Sequence, residues 1–353
     1  MTISAFEHPY LSGLLGDEET AALFAAQADI RAMLSFERAL ALAEAEEGVI
    51  PSAAATRIAD VCQNFRPDMT GLRQGVAKDG IVAAELVKQL RAAVGGDDAK
   101  HVHFGATSQD VIDTSLMLRL KGVVALFLAR LADLQGEFVR LQQNFGPRRL
   151  MGHTRMQAAI PITVADRLSS WSSPLVRDHA RLTALMQQGL PVQFGGAAGN
   201  LDKLPEKGAA VRARLAAHLG LADATQWHSQ RDRIVEVADC LSMISGSLGK
   251  IGQDVALLAQ MGGEITLSGG GGSSAMAHKQ NPVVAEALVS LARFNAVQVS
   301  GIHQSLVHEQ ERSGAAWTLE WMLLPSITIA TGASLRLSRD LLSKIQSIGR
   351  DPE

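Results

Sequence analysis

Apolar residues recur three and four positions apart along most of this chain, the spacing that lays side chains on one face of a helix. Residues 18–47 carry the pattern as one amphipathic stretch, closed by Gly48 and Pro51. Residues 52–64 and 81–94 read as shorter helices. Residues 107–145 read as a single long helix, opened by a Thr/Ser cap with Asp110 in its first turn. From Leu116 to Leu134 this helix is apolar on almost every side, and a helix of that kind is buried on every side. That fits a bundle core shared between subunits. Further long helices are predicted over 162–188, 231–261, 283–309 and 315–346, with breaks at Gly195-Gly196, Gly262-Gly263 and Gly269 to Gly272. Alternation with a period of two is confined to short pieces near 150–156 and 191–194. The predicted class is all-α, an elongated central bundle of long helices.

Composition narrows this further. Apolar residues make up 47% of the 353 residues but aromatics only 4%, which favours close helix packing over a β-sandwich. The net charge of −3, with acids and bases interspersed, leaves no basic patch for nucleic acid. Cys62 and Cys240 form no disulfide framework and no metal-ligand spacing, and fit a reducing compartment. Residues 1–11 lack the basic-then-apolar order of a signal peptide. The apolar run 321–335 is shorter than the roughly 20 residues of a membrane span and holds Pro325 and Gly332. A cytoplasmic protein that engages no membrane is expected.

The stretch from Gly269 to Pro282 carries the chemistry. Four glycines and two serines, Ser273 and Ser274, let backbone approach a ligand closely. Asn281-Pro282 reads as a helix start, with Asn as N-cap and Pro in the first helical position. Lys279 then lies beside the positive end of a helix, an arrangement suited to an anionic substrate. A plain Gly/Ser linker is the alternative, but it has no need of Met276, Lys279 and Asn281-Pro282 at this spacing. A second stretch, His103-Phe-Gly-Ala-Thr-Ser-Gln-Asp110, puts the Thr107 and Ser108 hydroxyls among the unpaired N–H groups of a helix start, where they either grip a carboxylate or simply cap the helix. A third is Met151-Gly-His-Thr-Arg-Met-Gln157, continuing to Thr163.

Gly272-Ser-Ser-Ala-Met-Ala-His-Lys-Gln-Asn-Pro282 resembles the Gly-Ser-Ser-x-Met-Pro-x-Lys-x-Asn-Pro signature of the fumarase/aspartase superfamily. Ala277 replaces the signature proline, which loosens the backbone without removing a chemical group. The resemblance runs from about Phe6 onward. It implies a homotetramer whose active sites are shared between subunits, each built from three separate segments. It also implies an N-terminal helical domain over 1–106, a central bundle over 107–345 and a C-terminal stub over 346–353, the small C-terminal domain of many relatives being reduced or absent. By position, Ser273 is the residue that moves the proton, and Lys279 and Asn281 stabilise the aci-carboxylate intermediate. Thr107, Ser108, Gln109, His153, Thr154, Arg155, Gln157, Ser274 and Met276 complete the expected substrate contacts. Ser229-Gln-Arg-Asp232 and Glu309-Gln-Glu-Arg-Ser313, with Arg312, either join the site as in relatives or form solvated helix faces.

Arg155 separates the branches of the superfamily, because amine- and water-expelling relatives carry a histidine at its position. A departing carboxylate needs no general acid, and a guanidinium binds carboxylate through two parallel hydrogen bonds. That favours the lactonising branch, the bacterial carboxymuconate cycloisomerases, which the running sequence of 103–115 and 192–199 also resembles. The implied substrate is a small tricarboxylate, 3-carboxy-cis,cis-muconate, closed to 4-carboxymuconolactone in the protocatechuate branch of the β-ketoadipate pathway, with no metal or organic cofactor. The alternative is an adenylosuccinate- or argininosuccinate-type lyase releasing fumarate, with His153 or His103 as general acid. If residues 151–156 are extended, His153 and Arg155 face the same way, and His153 then either supplies the lost histidine or is a surface residue.

Overall fold

The computed structural model describes residues 4–272 and 281–351. Its spine is α7 (Ser108–Phe145), a helix of 38 residues and so about 57 Å long. Leu120, Phe127, Leu131 and Leu134 on α7 are fully buried, because α8 (Val164–Ala184), α10 (Asp232–Met261), α11 (Val283–Gln304) and α12 (Gly314–Ser343) pack against one another and α7 to form a single core. α10 and α11 approach so closely that a Cβ on Gly252 would lie 2.6 Å from the Ala285 carbonyl oxygen. Pro174 and Pro325 sit inside α8 and α12 without ending them.

Around one end of the bundle lie α1 (Ser12–Leu15), α2 (Glu18–Phe24), α3 (Ala26–Glu46), α4 (Ser52–Asn64), α5 (Met69–Asp79), α6 (Ala83–Val94) and α9 (Gly208–Leu219). α3 to α6 and α9 close two further apolar clusters, one centred on Met33, Phe36, Leu86 and Phe194, the other on Ile58, Leu90 and Val102, while α1 and α2 pack on the main core through Leu14, Leu15, Leu23 and Phe24. At the other end, β1 (Arg149–Thr154) and β2 (Gln157–Thr163) form a hairpin, and β3 (Ile265–Leu267) pairs antiparallel with β4 (Ile345–Ile348). A two-way hydrogen-bond pair between Arg149 and Arg350 ties these two ribbons together.

The all-α class holds, with several local corrections. The stretch 18–47 is two helices, broken where Ala25 turns extended (ψ 146°) and Asp17 caps α2 through Thr20 N–H. Residues 162–163 belong to β2, and Thr163 caps α8 together with Asp166. The helix predicted to reach 346 stops at Ser343, because Ile345–Ile348 finds a strand partner in β3. The helix predicted to reach 309 stops at Gln304. Residues 191–194 make one bridge, Pro191 to Ala222, instead of a strand. Among the described residues α11 is long and apolar enough to cross a membrane by length and composition, yet only 28% of that window is buried within the chain.

Candidate functional site

The N-terminus of α7 is built by its first turn. Thr107 is extended (φ −126°) in the N-cap position, and its N–H donates to Asp110 Oδ2 at 2.9 Å. Asp110 is fully buried and also accepts from the N–H groups of Gly195 (2.9 Å) and Gly196 (3.0 Å), while His228 Nε2 stands 2.7 Å from its Oδ1. This locks the loop 193–196 and residues 226–228 against the helix start. The Ser108 hydroxyl has no partner among the described residues and remains available to a ligand.

Gln109 points inward. Its Nε2 donates to the His228 carbonyl (2.8 Å) and to Asp113 Oδ2 (3.1 Å), and its Oε1 accepts from Arg312 Nε at 2.9 Å. Gln109 thus holds Arg312, itself exposed, over the end of α7. Arg312 Nη2 also donates to the Ala197 carbonyl at 3.3 Å.

Beneath this lies Arg231, fully buried between two carboxylates. It meets Asp113 through Nη1 at 2.6 Å and Nη2 at 3.2 Å, and Glu320 through Nε at 2.9 Å, with its guanidinium over the Trp227 ring. Burial by itself lowers its pKa, but the two carboxylates outweigh that and raise it. Trp317 Nε1 donates to the same Asp113 carboxylate at 3.0 Å. The Gln-Arg-Asp stretch is therefore neither a solvated face nor an open ligand site at Arg231. It anchors α7, α10 and α12 to one another below the site.

The third segment lies at the far end of α7. Thr154 and Gln157 close a hairpin whose two turn residues, Arg155 (φ +46°) and Met156 (φ +66°), both have positive φ, the pattern of a type I′ turn. The extended backbone ends at Thr154, so the argument that placed His153 and Arg155 on one side fails. His153 is exposed on β1 and its Nδ1 lies 3.1 Å from the Met151 carbonyl. Arg155 is exposed at the tip and forms no ion pair with any described residue. Thr154 and Gln157 flank it, both exposed.

Asn281 sits at this same end. Its N–H and carbonyl exchange hydrogen bonds with Gly271 at 2.9 and 3.0 Å, so it is held in an isolated β-bridge instead of capping a helix. α11 consequently begins at Val283, one residue past Pro282. A Cβ on Gly271 would fall 2.3 Å from Val283 Cγ2, which restricts that position to glycine. Gly269 to Gly271, Asn281 and Pro282 line a cavity of about 290 Å³ with Leu267, Leu341 and Lys344. Ser273, Ser274, Met276 and Lys279 lie outside the described residues.

The sequence model of the lyase family, described as "Lyase", matches residues 15–301. The chain belongs to the fumarase/aspartase superfamily. This lyase is 37% identical over 341 residues to the 3-carboxy-cis,cis-muconate cycloisomerase of Bradyrhizobium diazoefficiens, a match covering 94% of this chain and 76% of that protein. It is 39% identical over 333 residues to the enzyme of the same name from Pseudomonas aeruginosa, covering 92% and 72%. It superposes on the crystal structure of the 3-carboxy-cis,cis-muconate lactonizing enzyme from Pseudomonas putida with a TM-score of 0.89, at 34% identity, covering 96% and 77%.

Within one chain of this lyase the site residues fall into two groups. Thr107, Ser108, Gln109 and Arg312 share the start of α7. Arg155, its neighbours and Asn281 share the other end, since Val164 N–H donates to the Arg148 carbonyl just past α7, and Gly349 N–H ties β4 to Glu264 beside β3. Even a hairpin folded back along the bundle recovers no more than about 20 Å of the separation of about 57 Å. Sequence reasoning missed Asp113, Arg231 and Glu320 as one cluster. Asp113 lies one turn after Asp110, just before the apolar stretch 116–134, a hint that a buried cation faces it.

Proposed function

We propose that this lyase closes 3-carboxy-cis,cis-muconate to 4-carboxymuconolactone. The observation that carries the reading is Arg155, a guanidinium presented on an exposed turn and paired with no carboxylate among the described residues, at the position where superfamily members that expel an amine carry histidine. The identity of 37% to 39% with proteins named as this cycloisomerase supports it. An arginine there clamps a carboxylate; it cannot donate a proton to an amine, because it stays charged at neutral pH.

In the proposed reaction one carboxylate oxygen of the substrate bonds to a carbon of the opposite double bond. The π electrons move to the neighbouring carbon and into its carboxylate, giving an aci-carboxylate. Ser273 delivers its hydroxyl proton to that carbon and is reprotonated from solvent. Lys279, Asn281 and the N-terminus of α11 stabilise the added charge. Arg155 holds the attacking carboxylate, the group that departs in the reverse direction, and Thr107, Ser108 and Arg312 hold another. His153 lies on a strand outside the turn and is read as a rim residue.

The two groups of residues meet only between chains, so the working form is read as a homotetramer. The exposed apolar side of α11 is where a second copy packs, with Val297 69% exposed and Met322 on α12 likewise 69%. That assignment also accounts for the hydropathy of α11 without a bilayer, since Glu286 and Arg293 lie within it. A cytoplasmic location follows from the same reading.

The test is an ultraviolet assay of purified protein with 3-carboxy-cis,cis-muconate, run with and without a chelator. Closure breaks the conjugated diene, so absorbance falls, equally in both. Fumarate released from adenylosuccinate or argininosuccinate, with no change in the diene, would overturn the reading.

A further inference from the structure

His103 precedes the Thr107–Ser108 pair by one short loop and is held in a left-handed conformation, φ +60°, which a side chain other than glycine rarely adopts. Its Nδ1 stands 2.6 Å from Glu37 Oε1, in the middle of α3. The histidine side chain is 11% exposed and the glutamate 1%. His103 is the sole ion-pair partner of Glu37 among the described residues, and Glu37 Oε2 has no hydrogen-bond partner there. The rest of the loop is pinned as well. Arg91 Nη2 donates to the Val102 carbonyl at 3.1 Å. Gly105 turns through φ +68°, where a Cβ would meet Leu204 Cδ1 at 2.8 Å.

We propose that the His103–Glu37 pair sets the pose of the Thr107–Ser108 carboxylate grip, which makes His103 a positioning residue of the site. The strained turn at His103 persists because a buried carboxylate demands a cation at that point, and the turn fixes where the next four residues enter α7. The inference deepens the functional reading above, and its kinetic arm rests on that reading.

The charges around His103 come from three helices: Glu37 and Glu44 on α3, Arg91 on α6 and Asp110 on α7. Burial lowers the imidazole pKa, Arg91 lowers it further, and Glu37 with Asp110 raises it by more, so the direction is upward. Glu44 lies seven residues from Glu37 on the same face of α3, fully buried with neither oxygen hydrogen-bonded to a described residue. Burial, aided by the Glu37 charge, pushes Glu44 up to about 9. Glu44 is therefore a neutral acid at pH 7 and adds no charge to the His103–Glu37 pair.

Glu37→Gln tests this through amide hydrogen exchange of residues 103–108 and through KM and kcat as functions of pH. Exchange should quicken about tenfold and KM for 3-carboxy-cis,cis-muconate rise about tenfold, with kcat within about twofold. The alkaline rise of KM should begin at a lower pH, because the Glu37 charge that raises the His103 pKa is gone. Glu44→Gln should leave KM and kcat at pH 7 unchanged. Should Glu37→Gln not fold, His103→Asn must show the same loss of exchange protection and the same rise in KM. Wild-type exchange and a wild-type KM profile in the Glu37 variant would overturn the proposal, as would an equal loss in Glu44→Gln. A wild-type protein inactive on the tricarboxylate would sink the functional reading instead, and the exchange arm would still decide the role of His103.

Discussion

Glu44→Gln should make this protein more stable as the pH rises. In the native structure Glu44 is fully buried, both its oxygens lack described partners, and its pKa is raised from 4.5 to about 9. The unfolded chain releases this proton near 4.5, so between 4.5 and 9 the folded state binds one proton more than the unfolded state. Stability from this group is full below pH 4.5 and is lost as pH climbs towards 9, at about 1.4 kcal/mol per pH unit. By pH 7 the loss is about 3 kcal/mol, and by pH 9 about 6 kcal/mol. An amide of the same shape does not titrate. The variant's own packing cost, whatever its size, adds an offset independent of pH. The assay is urea unfolding of both proteins at one protomer concentration, at half-unit steps from pH 5.5 to 8.5. The stability difference, variant minus wild type, should climb by about 1 to 1.4 kcal/mol per unit throughout. A difference flat with pH would mean that Glu44 is ionised in the native state, and the reasoning would fail.

Ser273→Ala should fold normally and lose about a hundredfold or more in kcat, measured by the loss of diene absorbance. Arg155→Ala, at an exposed turn, should leave thermal stability nearly unchanged and raise KM about tenfold or more. Gly271→Ala should cost about 1–3 kcal/mol in urea unfolding, because its Cβ would fall 2.3 Å from Val283 Cγ2, and adding Val283→Ala should recover part of it. Arg231→Met takes the guanidinium away from buried Asp113 and Glu320 and should cost about 3–5 kcal/mol by the same measurement.

The helices of the bundle were legible because their periodicity is long, and α7, α8 and α12 also open on Thr or Ser caps. Pro51 and the residues after it place α4 at Ser52–Asn64, as its spacing predicts. Several of the misses share one cause, which is that the deciding partner is remote in sequence. Residues 345–348 continue a helical pattern on their own, and only β3, some eighty positions earlier, turns them into a strand. Nothing local marks the break at Ala25, where neither glycine nor proline stands. The same holds for the site. Thr107, Ser108, Arg155 and the Gly269–Pro282 stretch announce themselves as motifs. Arg231 looks like a solvated charge until α7 and α12 bring Asp113 and Glu320 to it. His103 and Glu37, sixty-six residues apart, pair only in the fold. Arg155 was placed on an extended strand because its turn lacks the Gly or Asn that usually signals positive φ.

The length of α7 also governs how defects in this protein should combine. A chain altered at Ser108 keeps a sound hairpin end, and a chain altered at Arg155 keeps a sound helix-start end. Neither variant alone assembles a complete site. On the proposed homotetramer, the two refolded together in equal amounts should form mixed assemblies in which about one site in four draws each end from the subunit that preserves it. Two impaired preparations would then yield a more active one, with no intact chain present in the tube.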